Sequence, residues 1–386
     1  MHPHLGILIR GTEQVVTTEE LEKLLSLDRR LRIKFGVDPT SPNLHLGHAV
    51  PLLKLRQFQD FGHQVLLVIG DFTASIGDPS GRNSTRPVIS REQILNNAKT
   101  YTDQAFKILD RERTEIFFNG EWFNEMSAER LLFLARRVTV NHLLHRQDFH
   151  DRISKDQSIF LHEFFYPLLQ AWDSVKICAD VEIGGKDQIF NMLLGRDFQK
   201  DEGMTPQVVM TLPILEGLDG TKKMSKSLGN DIALTDSPKE MFGKTMSISD
   251  ALMKRWFLVL FGEQLDPLCN PMEEKKRLAE KIVSLFYSKE EALKARSEFE
   301  RIFSRREIPE EMPKFSFPQK TMPIVELLVA VGAVKSKSEA RRLISQGGVD
   351  FQGERVTDVH KVIELKKGSI LKCGKRFFAQ VNSEEA

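Results

Sequence analysis

Val65-Leu66-Leu67-Val68-Ile69 is an unbroken apolar run, too short for a helix of its own and without a polar face to give to water. Such a strand must be covered on both sides, the situation of a central strand in a parallel sheet. Its surroundings agree. Leu31 to Val37 reads as a strand ending at Asp38-Pro39-Thr40, and Glu115 to Phe118, Asp180 to Ile183 and Val208 to Leu212 read as further strands. Helical patterns alternate with them. Thr17 and Glu20 form a capping box before a short helix toward Leu25. Another helix begins near Gly47, carries Leu52, Leu55 and Phe58, and stops at Gly62, while Ser90 and Gln93 open one toward Leu109 and Asp187 to Leu194 is a third. This alternation predicts an α/β fold, a doubly wound Rossmann-type parallel sheet. Met126 to Asp151 and Phe160 to Asp173 read as helices inserted between its two halves.

Beyond Ser237 the strand patterns cease. Ser237-Pro238 and Asn270-Pro271 each set a capping residue before a proline at a first helical position, with Glu273 completing the second as a box. Pro309, Pro313 and Pro318 then punctuate a charged stretch. The expected domains are 1–229 (Rossmann catalytic domain, helical insertion about 120–165), 230–306 (all-helical), 307–320 (linker) and 321–386 (small α+β module). No internal repeat or low-complexity tract interrupts them. Lys+Arg 55 against Asp+Glu 54 gives a net charge of +1, so any nucleic-acid contact must come from local patches. Cys178, Cys269 and Cys373 are far apart and lack CxxC spacing, which suits reduced thiols. The first ten residues make a poor signal peptide, and no apolar stretch approaches the roughly 20 residues that span a bilayer. A soluble, cytoplasmic protein is expected.

His45-Leu46-Gly47-His48 falls between the first strand and its helix, where free backbone N–H groups and positive potential suit phosphate. Gly47 removes a Cβ where a nucleotide must approach the backbone, and Thr40 adds a hydroxyl on the same rim. A metal-site reading lacks further ligands nearby. Lys222-Lys223-Met224-Ser225-Lys226-Ser227 lies just past the last sheet strand. A Lys/Ser run is often only a solvated loop, but there, after the turn at Gly220, its cations and hydroxyls can wrap a triphosphate. Asp78-Pro79-Ser80-Gly81-Arg82, with Arg86 behind it, is either an ordinary turn or a phosphate clamp. Tyr166, Gln170 and Asp173 are spaced i, i+4, i+7 on one face of a helix rich in Phe and Leu. Buried, they need partners, and a ligand with an ammonium at one end and a hydroxyl at the other supplies them. Gly184-Gly185-Lys186-Asp187-Gln188 follows a strand and opens a helix, suiting a ribose or carboxylate.

The two separated motifs resemble the HIGH and KMSKS motifs of class I aminoacyl-tRNA synthetases, and essentially the whole chain resembles the bacterial-type tyrosyl-tRNA synthetase family. The resemblance implies activation of L-tyrosine by ATP and transfer to tRNA(Tyr), in a homodimer joined through the insertion. It implies that Thr40, His45, His48, Arg82, Arg86, Lys223 and Lys226 serve catalysis by holding ATP and its leaving pyrophosphate. Gly36, Asp38, Gly47, Asp187, Met224, Ser225 and Ser227 would complete the ATP site. Asp173 would take the phenolic hydroxyl, Tyr166, Gln170 and Asp78 the ammonium, and Gln188 the carboxyl end. Rejection of phenylalanine is an established property of this family. Mg2+ would arrive with ATP, with no dedicated protein metal site.

Two positions depart from the common pattern. Lys34 stands where many members carry a tyrosine that reaches the substrate hydroxyl, and it is expected to face the pocket beside Asp173 and bind tyrosine directly or through a water, the alternative being that it snorkels outward and leaves Asp173 alone to discriminate. Arg82 stands where lysine is common. The tail, with Lys335, Lys337, Arg341 and Arg342 on and beside one short helix before Gly347-Gly348, resembles the RNA-binding module named after a small-subunit ribosomal protein. That helical domain would then read the anticodon. Tryptophanyl-tRNA synthetase, a small-molecule nucleotidylyltransferase and a catalytically idle RNA-binding paralogue are the rival readings. The tail and the Tyr166/Gln170/Asp173 face speak against the first, the RNA-binding parts against the second, and the clustered cations against the third.

Overall fold

A computed structural model describes residues 2–40, 42, 44–79, 90–303, 312–374 and 377–383. Its contacts divide the chain into two compact units, Met1–Ala292 and Leu293–Ala386.

The first unit is built on six strands: β1 (Gln14–Val16), β2 (Arg32–Val37), β3 (Gln64–Ile69), β4 (Thr114–Phe118), β5 (Val181–Gly185) and β6 (Val208–Leu212). They lie in the order β1-β6-β5-β2-β3-β4, and all neighbours are parallel except β1, which runs antiparallel to β6. The order reverses between β2 and β5, the crevice where open α/β sheets bind ligands. Val65, Leu66, Leu67 and Ile69 have no exposed surface, as a strand covered on both faces requires. β1 is an addition that three residues of sequence did not announce.

Helices pack on both sides. Thr17 and Glu20 make the capping box at the head of the Thr18–Leu25 helix. The Leu46–Asp60 helix follows β2, and the Phe165–Lys176 and Ile189–Asp201 helices flank β5. The expected Met126–Asp151 helix is three helices, Ala128–Ala135, Val140–Leu144 and Gln147–Ser154. The side chains of Ser127 and Thr139 accept from the Arg130 and His142 amides, so local capping overrides the apolar periodicity. Three further helices, Pro238–Met246, Asp250–Phe261 and Pro271–Phe286, follow the basic loop, and a fourth, Lys289–Phe303, spans the division between the units. The reciprocal box belongs to the first, through Ser237 and Glu240, whereas Asn270 caps the Met272 and Glu273 amides and the Glu273 carboxylate meets Lys276.

In the second unit five strands lie in the order Glu354–Arg355, Val349–Phe351, Ser369–Cys373, Phe377–Ser383, Lys314–Phe317. The last pair is parallel, with Lys314 opposite Gln380. The expected 307–320 linker therefore contains a strand. Phe315 and Phe317 alternate onto the apolar core of this unit, and Pro313 and Pro318 bracket the strand instead of loosening it.

Candidate active site

The histidine-glycine turn is built by its own side chains. His45 caps the Leu46–Asp60 helix: its Nδ1 accepts from the Gly47 amide at 3.2 Å, and the His45 amide donates to His48 Nδ1 at 3.2 Å. A backbone N–H can only donate, so in the neutral rings both protons sit on Nε2. Burial pushes both imidazoles down to about 4, His48 also through its neighbour His45, so both are neutral donors near pH 7. A Cβ at Gly47 would lie 3.0 Å from the His45 ring, so glycine is what lets that ring fold back over the turn.

Above the switch point of the sheet is a cavity of about 470 Å³. Gly36, Thr40, His48, Asp78, Asp187 and Gln188 are among the residues that line it, with Asp38, Tyr166, Gln170 and Asp173. Gly36 faces open space, while a Cβ on Gly70 would strike Asp38 Oδ1 at 2.0 Å. That close approach frees Asp38 to accept from Thr73 Oγ1 at 2.8 Å and from the Tyr166 hydroxyl at 2.9 Å. Asp38, expected among ATP ligands, thus also braces the helix that carries Tyr166. Gln188 Nε2 donates to Asp78 Oδ2 at 2.7 Å.

Asp173 is buried, and its oxygens accept from Trp122 Nε1 at 3.0 Å and Asn119 Nδ2 at 3.3 Å. Asn119 is itself fixed, because its carbonyl accepts from the Phe72 amide and its NH2 also donates to Thr73. Burial raises the Asp173 carboxyl to about 7, against the opposing pull of Lys34, Trp122 and Asn119. Sequence reasoning missed Asn119 and Trp122. They lie at the end of an edge strand and on a four-residue helix, where no periodicity marks a functional face.

Lys34 is not at the cavity. Its side chain is fully buried and its Nζ meets Glu182 Oε1 at 2.9 Å, Ser174 Oγ at 2.7 Å and the Gln170 carbonyl at 2.9 Å. The expected contact with the phenol is not the one its ammonium makes, although Lys34 stays near enough to pull on the Asp173 carboxyl. Lys34 does share a face with Gly36, but two residues along a strand carry it roughly 6.6 Å deeper, under the polar helix. There the register sets it opposite Glu182 on β5. Glu182 also accepts from Gln170, Ser174 and Gln207. Neither partner is legible alone; the pair becomes visible only with the register.

The basic loop is tied to the histidine turn. Residues just past it pair with the segment before the helix, through Leu46 N to Ile232 O at 2.9 Å and Leu234 N to Leu44 O at 3.0 Å. Met224 is buried, with its Cβ 3.7 Å from where a Gly47 Cβ would stand. Asn230 braces the loop by accepting from the Ser225 amide and donating to Asp219. Asp219 in turn accepts from the Thr221 and Lys222 amides, which hold its carboxyl well below the usual range. Met224 thus anchors, while Lys223, Lys226 and Ser227 remain exposed and Ser225 and Ser227 hydroxyls lie 2.9 Å apart. Arg82 and Arg86 fall outside the described residues.

In the second unit Ser336 caps the Lys337–Ser345 helix, which exposes Arg341 and Arg342; Lys335 is exposed and Lys337 pairs with Glu326 at 2.8 Å. Among the described residues no cluster of three or more His, Cys, Asp or Glu side chains is arranged to hold a metal ion. No helix among them is long and apolar enough to cross a membrane.

Comparison with known proteins agrees with this geometry. Residues 26–304 match the model of class I tRNA synthetases (W and Y), and residues 305–379 that of the tyrosine–tRNA ligase SYY-like C-terminal domain. The chain is 51% identical to the tyrosine–tRNA ligase of Aquifex aeolicus over 98% of both chains, and 48% identical to that of Thermotoga maritima over 98% of this chain and 97% of the relative. Among solved structures, tyrosyl-tRNA synthetase of Archaeoglobus fulgidus complexed with L-tyrosine is 25% identical, with TM-score 0.60 over 76% of this chain and 98% of the other. The chain belongs to the tyrosine–tRNA ligase family of class I aminoacyl-tRNA synthetases.

Proposed function

We infer that the cavity binds L-tyrosine and ATP, forms tyrosyl-adenylate and pyrophosphate, and passes the tyrosyl group to the 3′ end of tRNA(Tyr). The observation that carries the choice of tyrosine is Asp173, buried and held by Trp122 and Asn119 with an acceptor left for a phenolic O–H. In this reading Asp78, Tyr166 and Gln170 meet the ammonium, Gln188 the carboxyl end and Asp187 the ribose. The chemistry is attack of the tyrosine carboxylate on the α-phosphate with departure of pyrophosphate. It asks for placed donors more than for a strong acid or base. The His45 and His48 Nε2–H groups and the ammonium groups of Lys223 and Lys226 are such donors. Mg2+ enters with the triphosphate.

The helices from Pro238 to Phe303 and the cationic helix of the second unit would hold the tRNA. The exposed apolar side chains Leu132, Phe133, Phe160 and Leu161 support a homodimer through the insertion, and the enzyme would work in the cytoplasm. Tyrosine, but not tryptophan or phenylalanine, should support ATP–pyrophosphate exchange; tryptophan-dependent exchange without a tyrosine signal would sink the reading. Truncation after Phe303 should leave that exchange intact and weaken tRNA charging. Because Lys314–Phe317 is a strand of the C-terminal sheet, the cut belongs before it and not near 319. Loss of exchange from a truncated protein that stays folded would refute the division of labour.

A further inference from the structure

Two glutamines, Gln170 and Gln188, stand at the wall of the cavity, and each could present either end of its amide to a ligand. We propose that Arg146, reaching in from the helical insertion, is a positioning residue that sets the direction of a buried amide relay and thereby the polarity of both glutamines. The proposal rests on the reading of the cavity as an amino-acid site.

The relay is short and closed at both ends. Arg146 is buried, and its Nη1 donates to Asn191 Oδ1 at 2.8 Å while Nε and Nη2 hold Asp148, both at 3.0 Å. A guanidinium has only donors, so the Asn191 atom facing it must be the oxygen. That turns the Asn191 NH2 toward the cavity, where it donates to Gln170 Oε1 at 2.8 Å and Gln188 Oε1 at 3.2 Å. Each glutamine must then direct its own NH2 outward, Gln170 to Glu182 Oε1 at 3.3 Å and Gln188 to Asp78 Oδ2 at 2.7 Å. Both ends of those branches are carboxylates. Glu182 already accepts from Ser174 and Gln207 and pairs with Lys34 at 2.9 Å, so what it asks of Gln170 is a donor.

The direction is therefore set from Arg146 through Asn191, neither of which is among the residues lining the cavity, and held at the far ends by Glu182 and Asp78, which are. Reversing either glutamine would set its carbonyl against a carboxylate and leave the Asn191 NH2 facing an NH2, a pair of half-buried mismatches. With the relay intact, the amino acid meets a preset pattern. Gln188 offers N–H beside Asp78, and the carbonyl of Gln170 keeps its second lone pair for an ammonium. A site whose polar groups are already oriented pays less ordering on binding.

The test is the Michaelis constant for tyrosine against that for ATP in pyrophosphate exchange by the full chain, with circular dichroism to confirm folding. Arg146→Met should raise KM for tyrosine about tenfold, the scale of one lost charge-assisted hydrogen bond, and move KM for ATP less than about twofold. Arg146→Lys, also donor-only, should return KM for tyrosine to within about threefold of the wild type. Asn191→Asp keeps, and strengthens, the contact with Arg146 but replaces the donating NH2 by an acceptor. It should weaken tyrosine binding, whereas an added negative charge acting alone would strengthen binding of the ammonium. An unchanged KM for tyrosine in folded Arg146→Met or Asn191→Asp overturns the proposal, as does Arg146→Lys proving as damaging as Arg146→Met. A wild type without tyrosine-dependent exchange removes the reading beneath it, a result distinct from either of these.

Discussion

Replacing Asp173 by alanine should lower kcat/KM for tyrosine by about 10³-fold, the largest single effect expected of any pocket substitution. The phenolic O–H loses a charged acceptor, and the Trp122 and Asn119 N–H groups lose theirs, each a buried donor left without a partner. The orphans are present with and without substrate and lower stability, so the rate effect rests on the phenolic O–H, whose lost charged acceptor and unrewarded desolvation together cost about 4 kcal/mol, which is that factor. The same substitution should leave phenylalanine nearly unaffected, so the two substrates converge. Exchange kinetics with both amino acids check it; a loss shared equally by phenylalanine would mean that Asp173 supports the fold and not recognition.

A pH dependence follows from the same group. Only the ionised carboxylate is a pure acceptor for the phenol, and in the ligand-free protein burial raises the Asp173 carboxyl to about 7. KM for tyrosine should therefore rise on acidification below about pH 7, approaching tenfold per unit. The effect on stability has the opposite sign. In the unfolded chain an aspartate titrates near its ordinary value of about 4, so between about 4 and 7 the folded state binds the extra proton. The contribution of Asp173 to stability is full below about pH 4 and is lost as pH rises through about 7. Bound tyrosine offsets that loss, so tyrosine should raise the melting temperature more at pH 8 than at pH 6.

Much of this is legible in the sequence alone. The apolar run at Val65–Ile69 required cover on both faces, and that alone favoured a parallel sheet with helices on either side. Tyr166, Gln170 and Asp173 were visible as a polar stripe because helical spacing puts them on one face and their neighbours are apolar. The motifs around His45 and Met224 were visible because each is compact in sequence. What stayed hidden depends on register or on side-chain reach. Lys34 and Glu182 are 148 positions apart (182 − 34) and meet only because β2 and β5 are neighbours in one register. Trp122 and Asn119 reach Asp173 from an edge strand and a single helical turn, and Arg146 reaches Asn191 from the insertion. A sequence shows which polar residues lie on a face; it does not show which buried partner satisfies them. The misplacement of Lys34 has that cause. The face was right and the depth along the strand was not.

His48→Ala and Lys226→Ala should each slow adenylate formation by roughly 10²-fold, the scale of losing one donor placed for the transition state, while tyrosine affinity stays within about twofold. The two residues act from different supports. His48 is rigid: its Nδ1 is consumed by the His45 amide, and its Nε2–H points from a helix start that also lines the cavity. Its imidazole lies far below neutrality in acidity, at about 4, because of burial, so it serves as a neutral donor and should add no inflection to the activity profile between pH 6 and 9. Lys226 is exposed on the loop that Met224 and Asn230 anchor to the histidine turn, and in the proposed reaction would contribute a full charge where pyrophosphate departs. The negative charge on the phosphate oxygens grows as the bond to pyrophosphate breaks, so both donors gain strength only late in the step. Single-turnover formation of tyrosyl-adenylate, set beside equilibrium tyrosine binding, separates these effects. If both variants activate tyrosine at the wild-type rate, neither residue belongs to the chemistry. If binding falls as much as rate, they hold the ground state and not the transition state.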